Sequence, residues 1–248
     1  MKAIIFCGGK GVRLRPLTYY IQKVMVPVGS KQRPIVEYVI RLLRYHQMND
    51  IVLMVNYKAN QIINYFENGS RFKVNLTFLH DNPKFSGTGG ALLNAFFSGI
   101  ISEDETLLIY YGDIISNINL SELLNLHRKT DAAATVALST DFPLRVGVAK
   151  IAADGRISRF VEKPRLDKPV SIGILALNGK VALHYLKKLM KKQSNLDIMG
   201  DLLPHLIVVG KHVQAYTTKA SWYDLGTIER YEKLDTTFID EELRYLLD

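Results

Sequence analysis

Short apolar, β-branched runs alternate with stretches of helical period along the first half of this chain, and that alternation narrows the possible folds more than any other feature. Strand-like runs fall at 2–7, 51–55, 74–79 and 107–111. Between the first two, Ile35, Val39, Leu42 and Leu43 line one face of a helix opened by Pro34. Proline suits a first helical turn because the N–H it lacks has no intrahelical partner there. The segments 59–66 and 91–97 predict two further helices. A fourth, 120–127, carries Leu123, Leu124 and Leu126 and a cap at Asn119 or Ser121. Alternating strands and helices predict an α/β fold, a three-layer αβα sandwich around a mostly parallel, mixed central sheet of Rossmann-like type. Past residue 130 the runs at 135–139, 147–151, 171–177 and 213–216 crowd together, with turn signals at Asp141-Phe142-Pro143, Ala153-Asp154-Gly155 and Lys163-Pro164. Mixed or antiparallel strands are expected there, including a hairpin around Asp154-Gly155. A helical tail is expected at 227–247. With no repeat and no Pro-, Gly- or Ser-rich linker, residues 1–248 predict a single domain.

Composition removes several classes of function. Hydrophobic residues make up 48% and charged residues 23%, which excludes a disordered or coiled-coil chain. No run reaches the roughly 18 apolar residues that span a bilayer. The opening MKAIIFCGG has neither the long apolar stretch nor the cleavage site of a signal peptide. The single cysteine, Cys7, excludes a disulfide framework and a thiolate zinc site, and at the end of the first strand it is expected to be buried rather than nucleophilic. A cytoplasmic protein is expected. Lys and Arg number 32 against 24 Asp and Glu, a net charge of +8. A basic balance fits nucleic-acid binding or the handling of phosphorylated metabolites. No nucleic-acid module is present. The densest basic stretch, Lys187, Lys188, Lys191 and Lys192, has helical spacing beside Leu183, Leu186 and Leu189, which is the pattern of a solvated helix face. The six histidines include no i,i+4 pair.

Gly8-Gly9-Lys10-Gly11-Val12-Arg13-Leu14 follows the first strand directly. Glycines there let backbone N–H groups approach an anion, and Arg13 adds a rigid fork of donors suited to phosphate oxygens. Lys23 lies ten residues on. The segment lacks the Gly-Lys-Ser/Thr of a P-loop, and Leu14 stands where a dinucleotide fingerprint requires Gly or Ala. Asp113 follows Gly112 at the end of a strand, and Asp224 precedes Gly226 in Trp222-Tyr223-Asp224-Leu225-Gly226-Thr227. Each alone fits a turn as well as a site. Two such carboxylates in a chain with a phosphate loop suggest a shared hard cation, and Mg²⁺ prefers carboxylate and phosphate oxygens.

Taken together, Gly8-Gly9-x-Gly11-x-Arg13-Leu14-x-Pro16-Leu17-Thr18, Lys23 and Pro27-Val28 resemble the opening of the sugar-nucleotide pyrophosphorylases, the sugar-1-phosphate nucleotidyltransferases that make an NDP-sugar and pyrophosphate from an NTP and a sugar 1-phosphate. The resemblance implies the nucleotide-diphospho-sugar transferase type of the fold, with residues 1–130 as the nucleotide-binding part, 131–226 as the sugar-phosphate part and 227–248 as the tail. It implies catalytic roles for Arg13 and Lys23. It implies nucleotide binding by Gly8, Gly9, Gly11, Gly87 and Thr88, with Asn82 a candidate for the base edge. Gly147, Glu162, Lys163, Ser171 and Gly173 match its sugar-phosphate contacts, and Asp113 and Asp224 its Mg²⁺ ligands. Four departures stand out: Phe6-Cys7 for Leu-Ala, Val12 for Thr, Ser171 for Asn, and Gln22 and Val24 in place of the prolines that flank the lysine. The last implies a loosened loop and a less rigidly held Lys23. The resemblance puts glucose 1-phosphate with dTTP or UTP first, and mannose 1-phosphate with GTP next. The alternative is a catalytically weak or inactive regulatory relative that binds a nucleotide sugar. A metal-dependent glycosyltransferase is disfavoured, because Ile114 and Ile115 follow Asp113 where an Asp-x-Asp motif needs its second acid. Neither nucleic acid nor membrane is an expected partner. An exposed, Leu-rich tail offers a surface for a homo-oligomer.

Overall fold

A computed structural model describes residues 1–144 and 146–247 of the chain. Its strands are β1 (Lys2–Phe6), β2 (Asp50–Val55), β3 (Asn75–His80), β4 (Thr106–Tyr111), β5 (Ile114–Ser116), β6 (Ala134–Ser139), β7 (Val148–Ile151), β8 (Ile157–Val161), β9 (Val170–Asn178), β10 (Val213–Thr218) and β11 (Trp222–Asp224), beside short two-residue ladders. The α-helices are α1 (Ile35–Tyr45), α2 (Ala59–Phe66), α3 (Gly87–Phe97), α4 (Leu120–Thr130), α5 (Gly179–Met190), α6 (Leu203–Val208) and α7 (Ile228–Glu232). One seven-stranded sheet runs β10-β6-β9-β4-β1-β2-β3. Only β9 is antiparallel to its neighbours, β4 and β6, and the other pairings in the sheet are parallel. Strand order reverses at β1, with β2 and β3 on one side and β4 on the other. A reversal of this kind opens a crevice at the carboxyl ends of the strands.

Alternation along the strands builds the layers. Ala3 and Ile5 of β1 face one core with Val39, Leu43, Ile62 and Leu123, while Ile4 faces the other with Leu92, Leu186 and Leu206. Side chains on a strand alternate between faces, so both faces of this sheet are apolar and each is covered by helices. Burying one such Leu or Ile contributes about 1.5–3 kcal/mol. Asn119 rather than Ser121 caps α4: its Oδ1 accepts from Glu122 N at 3.1 Å, while Ser121 Oγ lies 2.8 Å from His46 Nδ1. No helix among the described residues is long and apolar enough to cross a membrane.

Three expectations change. Helix α3 begins four residues earlier than its apolar pattern, at Gly87, so Gly87-Thr88-Gly89-Gly90 is its first turn. Glycines are poor helix formers, but a Cβ at Gly90 would lie 2.6 Å from the Phe85 carbonyl carbon, so packing selects them. The tail is not one helix but α7, a π-helical turn (Phe238–Glu242) and a 3₁₀ turn (Arg244–Leu246). Nor is it exposed. Phe238, Ile239, Leu243 and Leu246 are buried in the core that holds α1, and Asp240 accepts hydrogen bonds from Ser30 N and Oγ. The hairpin at Asp154-Gly155 is present as β7 and β8, but it stands apart from the main sheet with most of its residues exposed.

Candidate active site

The turn after β1 is shaped by its own side chains. Thr18 Oγ1 donates to Gly11 O at 2.7 Å, and Tyr57 OH donates to Thr18 O at 2.9 Å. Gly11 sits at φ 60°, and a Cβ there would lie 3.1 Å from Lys23 Cβ, so the glycine lets Lys23 pass close to the loop. Gln22 next to it is fully buried. Its amide nitrogen donates to Cys7 O, its Oε1 accepts from Val24 N at 2.6 Å, and its own N–H reaches Gln61 Oε1 at 2.7 Å. The expected loosening is therefore corrected: a buried residue held by two side-chain hydrogen bonds and one from its backbone N–H does the holding that flanking prolines would have done.

Lys23 Nζ forms an ion pair with Asp113, the residue that β4 delivers to the crevice. Strand β11 pairs antiparallel with β5, setting Asp224 opposite Ile114, and Leu225 N donates to Asp113 O at 3.0 Å. The two aspartates, 111 positions apart in sequence, are thus backbone neighbours. Arg13 joins them at Gly226, where a Cβ would lie 2.7 Å from Asp224 Oδ1 and 3.3 Å from Arg13 Nη2. Asp224 also pairs with Arg230, which carried no sequence signal beyond its charge.

Two cavities flank this junction. The first, about 330 Å³, is lined by Gly8, Gly9, Lys23, Asp113, Gly87 and Thr88 among others. The second, about 670 Å³, is lined by Asp224, Arg230, Tyr223 and the stacked pair Phe142 and Trp222, whose centroids are 6.0 Å apart. Of the expected residues, Gly8, Gly9, Lys23, Gly87, Thr88 and Asp113 line the first and Asp224 the second, whereas Gly11, Arg13 and the expected sugar-phosphate residues Gly147, Glu162, Lys163, Ser171 and Gly173 line neither. Asn82 lines neither; its Oδ1 accepts from Lys84 N at 3.0 Å and shapes the loop instead. Its neighbour Asp81 does line the first cavity, and the sequence clue, an acid directly after an apolar strand, was available. Thr88 Oγ1 donates to Asp197 Oδ2 at 2.8 Å and accepts from Ile198 N at 2.9 Å, so it fixes α3 as well as lining the cavity. Gly147 and Glu162 lie together at the base of the exposed hairpin, where a Cβ on Gly147 would be 2.8 Å from Glu162 Oε2. Lys163 follows at φ 50°, exposed to solvent. Ser171 Oγ accepts from Gly173 N at 3.4 Å, and Gly173 abuts Tyr111.

Burial pushes the Asp81 carboxyl up, opposed by a hydrogen bond from Asn56 and the charge of His80. Burial also pushes Tyr111 up to about 12. It raises the Cys7 thiol well above its ordinary range, with the Asp113 charge acting in the same direction, so Cys7 is inert packing as expected. No group of three or more acidic, His or Cys side chains able to hold a metal occurs among the described residues. Asp113 and Asp224 nevertheless fit Mg²⁺, which uses one or two carboxylates and completes its shell with substrate phosphates and water. Each carboxylate already faces a cation, so the junction is built to hold positive charge.

A family model described as "Nucleotidyl transferase" matches residues 2–241. The UTP–glucose-1-phosphate uridylyltransferase of Synechocystis is 29% identical over 98% of this chain and 65% of its own length. The bifunctional protein GlmU of Methanococcus maripaludis is 32% identical over 91% of this chain and 51% of its own. The chain therefore spans about half to two thirds of these relatives. In fold, the crystal structure of HddC from Yersinia pseudotuberculosis superposes with a TM-score of 0.70 at 23% identity, covering 94% of this chain and 96% of that one. With its glycine turn, its paired aspartates and a family match that runs through nearly every element, the chain belongs to the nucleotidyl transferase family.

Proposed function

We propose that the chain moves a nucleotidyl group from an NTP to a sugar 1-phosphate, giving an NDP-sugar and pyrophosphate. The observation that carries this is the gathering of Arg13, Lys23, Asp113 and Asp224 around the Gly8–Gly11 turn at the carboxyl edge of the sheet. A phosphate oxygen of the sugar 1-phosphate attacks the α-phosphorus of the NTP. The new P–O bond forms as the bond to pyrophosphate breaks. The nucleophile is already anionic near neutral pH, so no general base is needed. The protein has to align two anions and offset their repulsion. Backbone N–H groups of the turn and Arg13 suit the triphosphate, and Arg13 suits the charge that grows on the departing pyrophosphate. Lys23 and Lys163 reduce the repulsion between substrates. When bound between Asp113 and Asp224, Mg²⁺ would neutralise phosphate oxygens.

Residues 1–130 are assigned to the nucleotide and 131–226 to the sugar phosphate. The relatives carry names that differ in nucleotide and in sugar, among them uridylyl- and cytidylyltransferases for glucose 1-phosphate and a guanylyltransferase for mannose 1-phosphate. A hexose 1-phosphate is common to those names, and we assign glucose 1-phosphate first and mannose 1-phosphate next. The test is pyrophosphate release with Mg²⁺, each NTP and each of the two sugar phosphates. Release that requires both substrates supports the transferase. Nucleotide binding without release under any combination would leave a regulatory binding protein.

A further inference from the structure

We infer that the outer face built by α3, α5 and α6 docks on the surface of an anionic phospholipid bilayer, with a row of lysines against the headgroups and Phe97 and Val208 at the acyl boundary. The inference goes beyond the transferase assignment and does not depend on it. It departs from the sequence-based expectation that no membrane is a partner.

Charge is divided unevenly along the chain. Residues 168–223 hold eight lysines, no arginine and two acids, a net +6 out of the +8 of the whole, whereas residues 225–248 hold seven acids and three bases. Folding puts the helices of the first segment and the tail on opposite sides of the sheet. α5 and α6 pack beside α3 through Ala182, Leu186, Leu203 and Leu206 in one core, and the tail packs through Phe238, Ile239 and Leu243 in the other. Five of the eight lysines lie on α5 or directly after it. Lys180, Lys187, Lys188 and Lys191, with His184, fall within about 100° of arc along about 16 Å of helix. They are all exposed and line one groove, in which Glu103 is the one acid among the lining residues. No ion pair engages these lysines among the described residues, whereas Lys23, Arg33, Arg41, Arg165 and Arg230 each have a partner. The helix macrodipole accounts for cations in a last turn but disfavours one in the first, where Lys180 stands, so helix stability does not explain the row.

Apolar groups border the row. Lys187 Nζ lies 5.5 Å from the ring centroid of Phe97, which is 56% exposed. On α6, His205 packs against Tyr185 of α5 with ring centroids 5.4 Å apart, and the helix ends in Ile207, Val208 and Val209, all exposed, Val208 at 82%. This combination selects the partner. Arginine forks pick out single phosphates; lysines without arginine present compact point charges on flexible stems, which suit a diffuse plane of charge. Those stems lie along apolar surface while the ammonium groups stay among polar ones. Clusters of about four to eight cations on a helix hold to anionic lipid, and exposed aliphatic and aromatic side chains on the same face add burial at the boundary of the acyl chains. A nucleic-acid strand would leave Ile207 and Val208 in water. The acid-rich tail on the far side is repelled by the same surface, so the asymmetry of the molecule turns the lysine face towards it.

Co-sedimentation with vesicles tests this. The whole chain is mixed with vesicles of phosphatidylcholine alone, or of phosphatidylcholine with about 30% phosphatidylglycerol, at about 100 mM salt. Binding to the mixed vesicles is expected to be at least about tenfold tighter, and to weaken steeply towards about 500 mM salt as the Debye length shortens. Lys187→Gln, Lys188→Gln and Lys191→Gln combined should lower affinity about a hundredfold, about fivefold per lysine at an anionic surface. Lys31→Gln, Lys73→Gln and Lys129→Gln combined remove the same charge from exposed positions outside this face and should lower it by a few-fold at most. Val208→Trp should emit further to the blue when mixed vesicles are added, measured against wild type, whose single Trp222 lines the second cavity. The inference is overturned if mixed vesicles bind no better than phosphatidylcholine, if the two triple variants lose affinity equally, or if the Val208→Trp emission does not move. It is also overturned if a single-stranded oligo(dT) binds wild type more tightly than the mixed vesicles do, which would make nucleic acid the partner of this face. None of these readouts needs turnover, so a chain that released no pyrophosphate would still decide them.

Discussion

Gln22 and Arg230 show how single side chains set the site's properties. Gln22 reaches Cys7 O and Val24 N from a fully buried position, so its amide determines where Lys23 starts. Gln22→Leu keeps the volume and strips the bonds. The orphaned buried groups should lower stability by about 1–3 kcal/mol, read by urea unfolding, and the transferase rate should fall with Lys23 less well aimed. Unchanged stability and rate would show the bonds to be incidental. Arg230 faces Asp224 in a part-exposed ion pair and competes with any divalent ion for that carboxylate. Arg230→Gln should tighten Mn²⁺ binding to the protein alone by about two- to fivefold, the range set by pairs of this exposure, as followed by the EPR signal of free Mn²⁺. Weaker binding in the variant would mean that Arg230 supports the site rather than competing with the ion. Asp81 belongs to this scale too: a one-residue shift from Asn82 exchanges a loop-capping amide for a cavity-lining carboxylate, a choice that strand and helix periods do not report, although an acid directly after an apolar strand does.

At the scale of elements, α4 and β6 are joined by a buried contact between His127 Nδ1 and Thr135 Oγ1 at 2.9 Å. Burial lowers the His127 pKa below its usual 6.5, and the Arg128 charge adds to the effect. The unfolded chain takes up a proton near pH 6.5, while the folded chain resists until lower pH. Stability is therefore full above 6.5 and falls as pH drops below it. His46, on the loop after α1, shifts in the same direction. Unfolding free energies measured from pH 7.5 to 5 should decline, and His127→Asn should flatten part of that slope; an unaltered slope would remove His127 as its source. The elements themselves were readable because their periods differ. β1, β2 and β4 are short β-branched runs, and α1 carries a clear apolar face. The start of α3 and the broken tail were not readable. Glycines at 87–90 are helical only because Phe85 and Leu196 leave no room for side chains, and the tail follows the contour of α1 rather than its own helical period.

Over the whole molecule, a net charge of +8 would meet two anionic substrates in the proposed reaction. Part of their capture should be long-range and screened by salt, so KM for NTP and for sugar 1-phosphate should rise together between 50 and 300 mM salt, roughly as the Debye length shortens. A kcat that fell in parallel would point to the Lys23–Asp113 pair instead. The same scale decides what the chain's order of residues can convey. Periodicity alone dictated alternating strands and helices, hence layers and a crevice at the carboxyl edge, and the glycine turn with Arg13 and Lys23 marked that edge as the candidate site. Which distant residues meet there was settled by pairing. β11 beside β5 brings Asp224 to Asp113, and the β3 terminus leans over Gly8 to present Asp81. Local sequence fixes the backbone's preferences within a few residues. Contacts between residues a hundred or more positions apart exist only once burying both faces of the sheet has chosen the strand order.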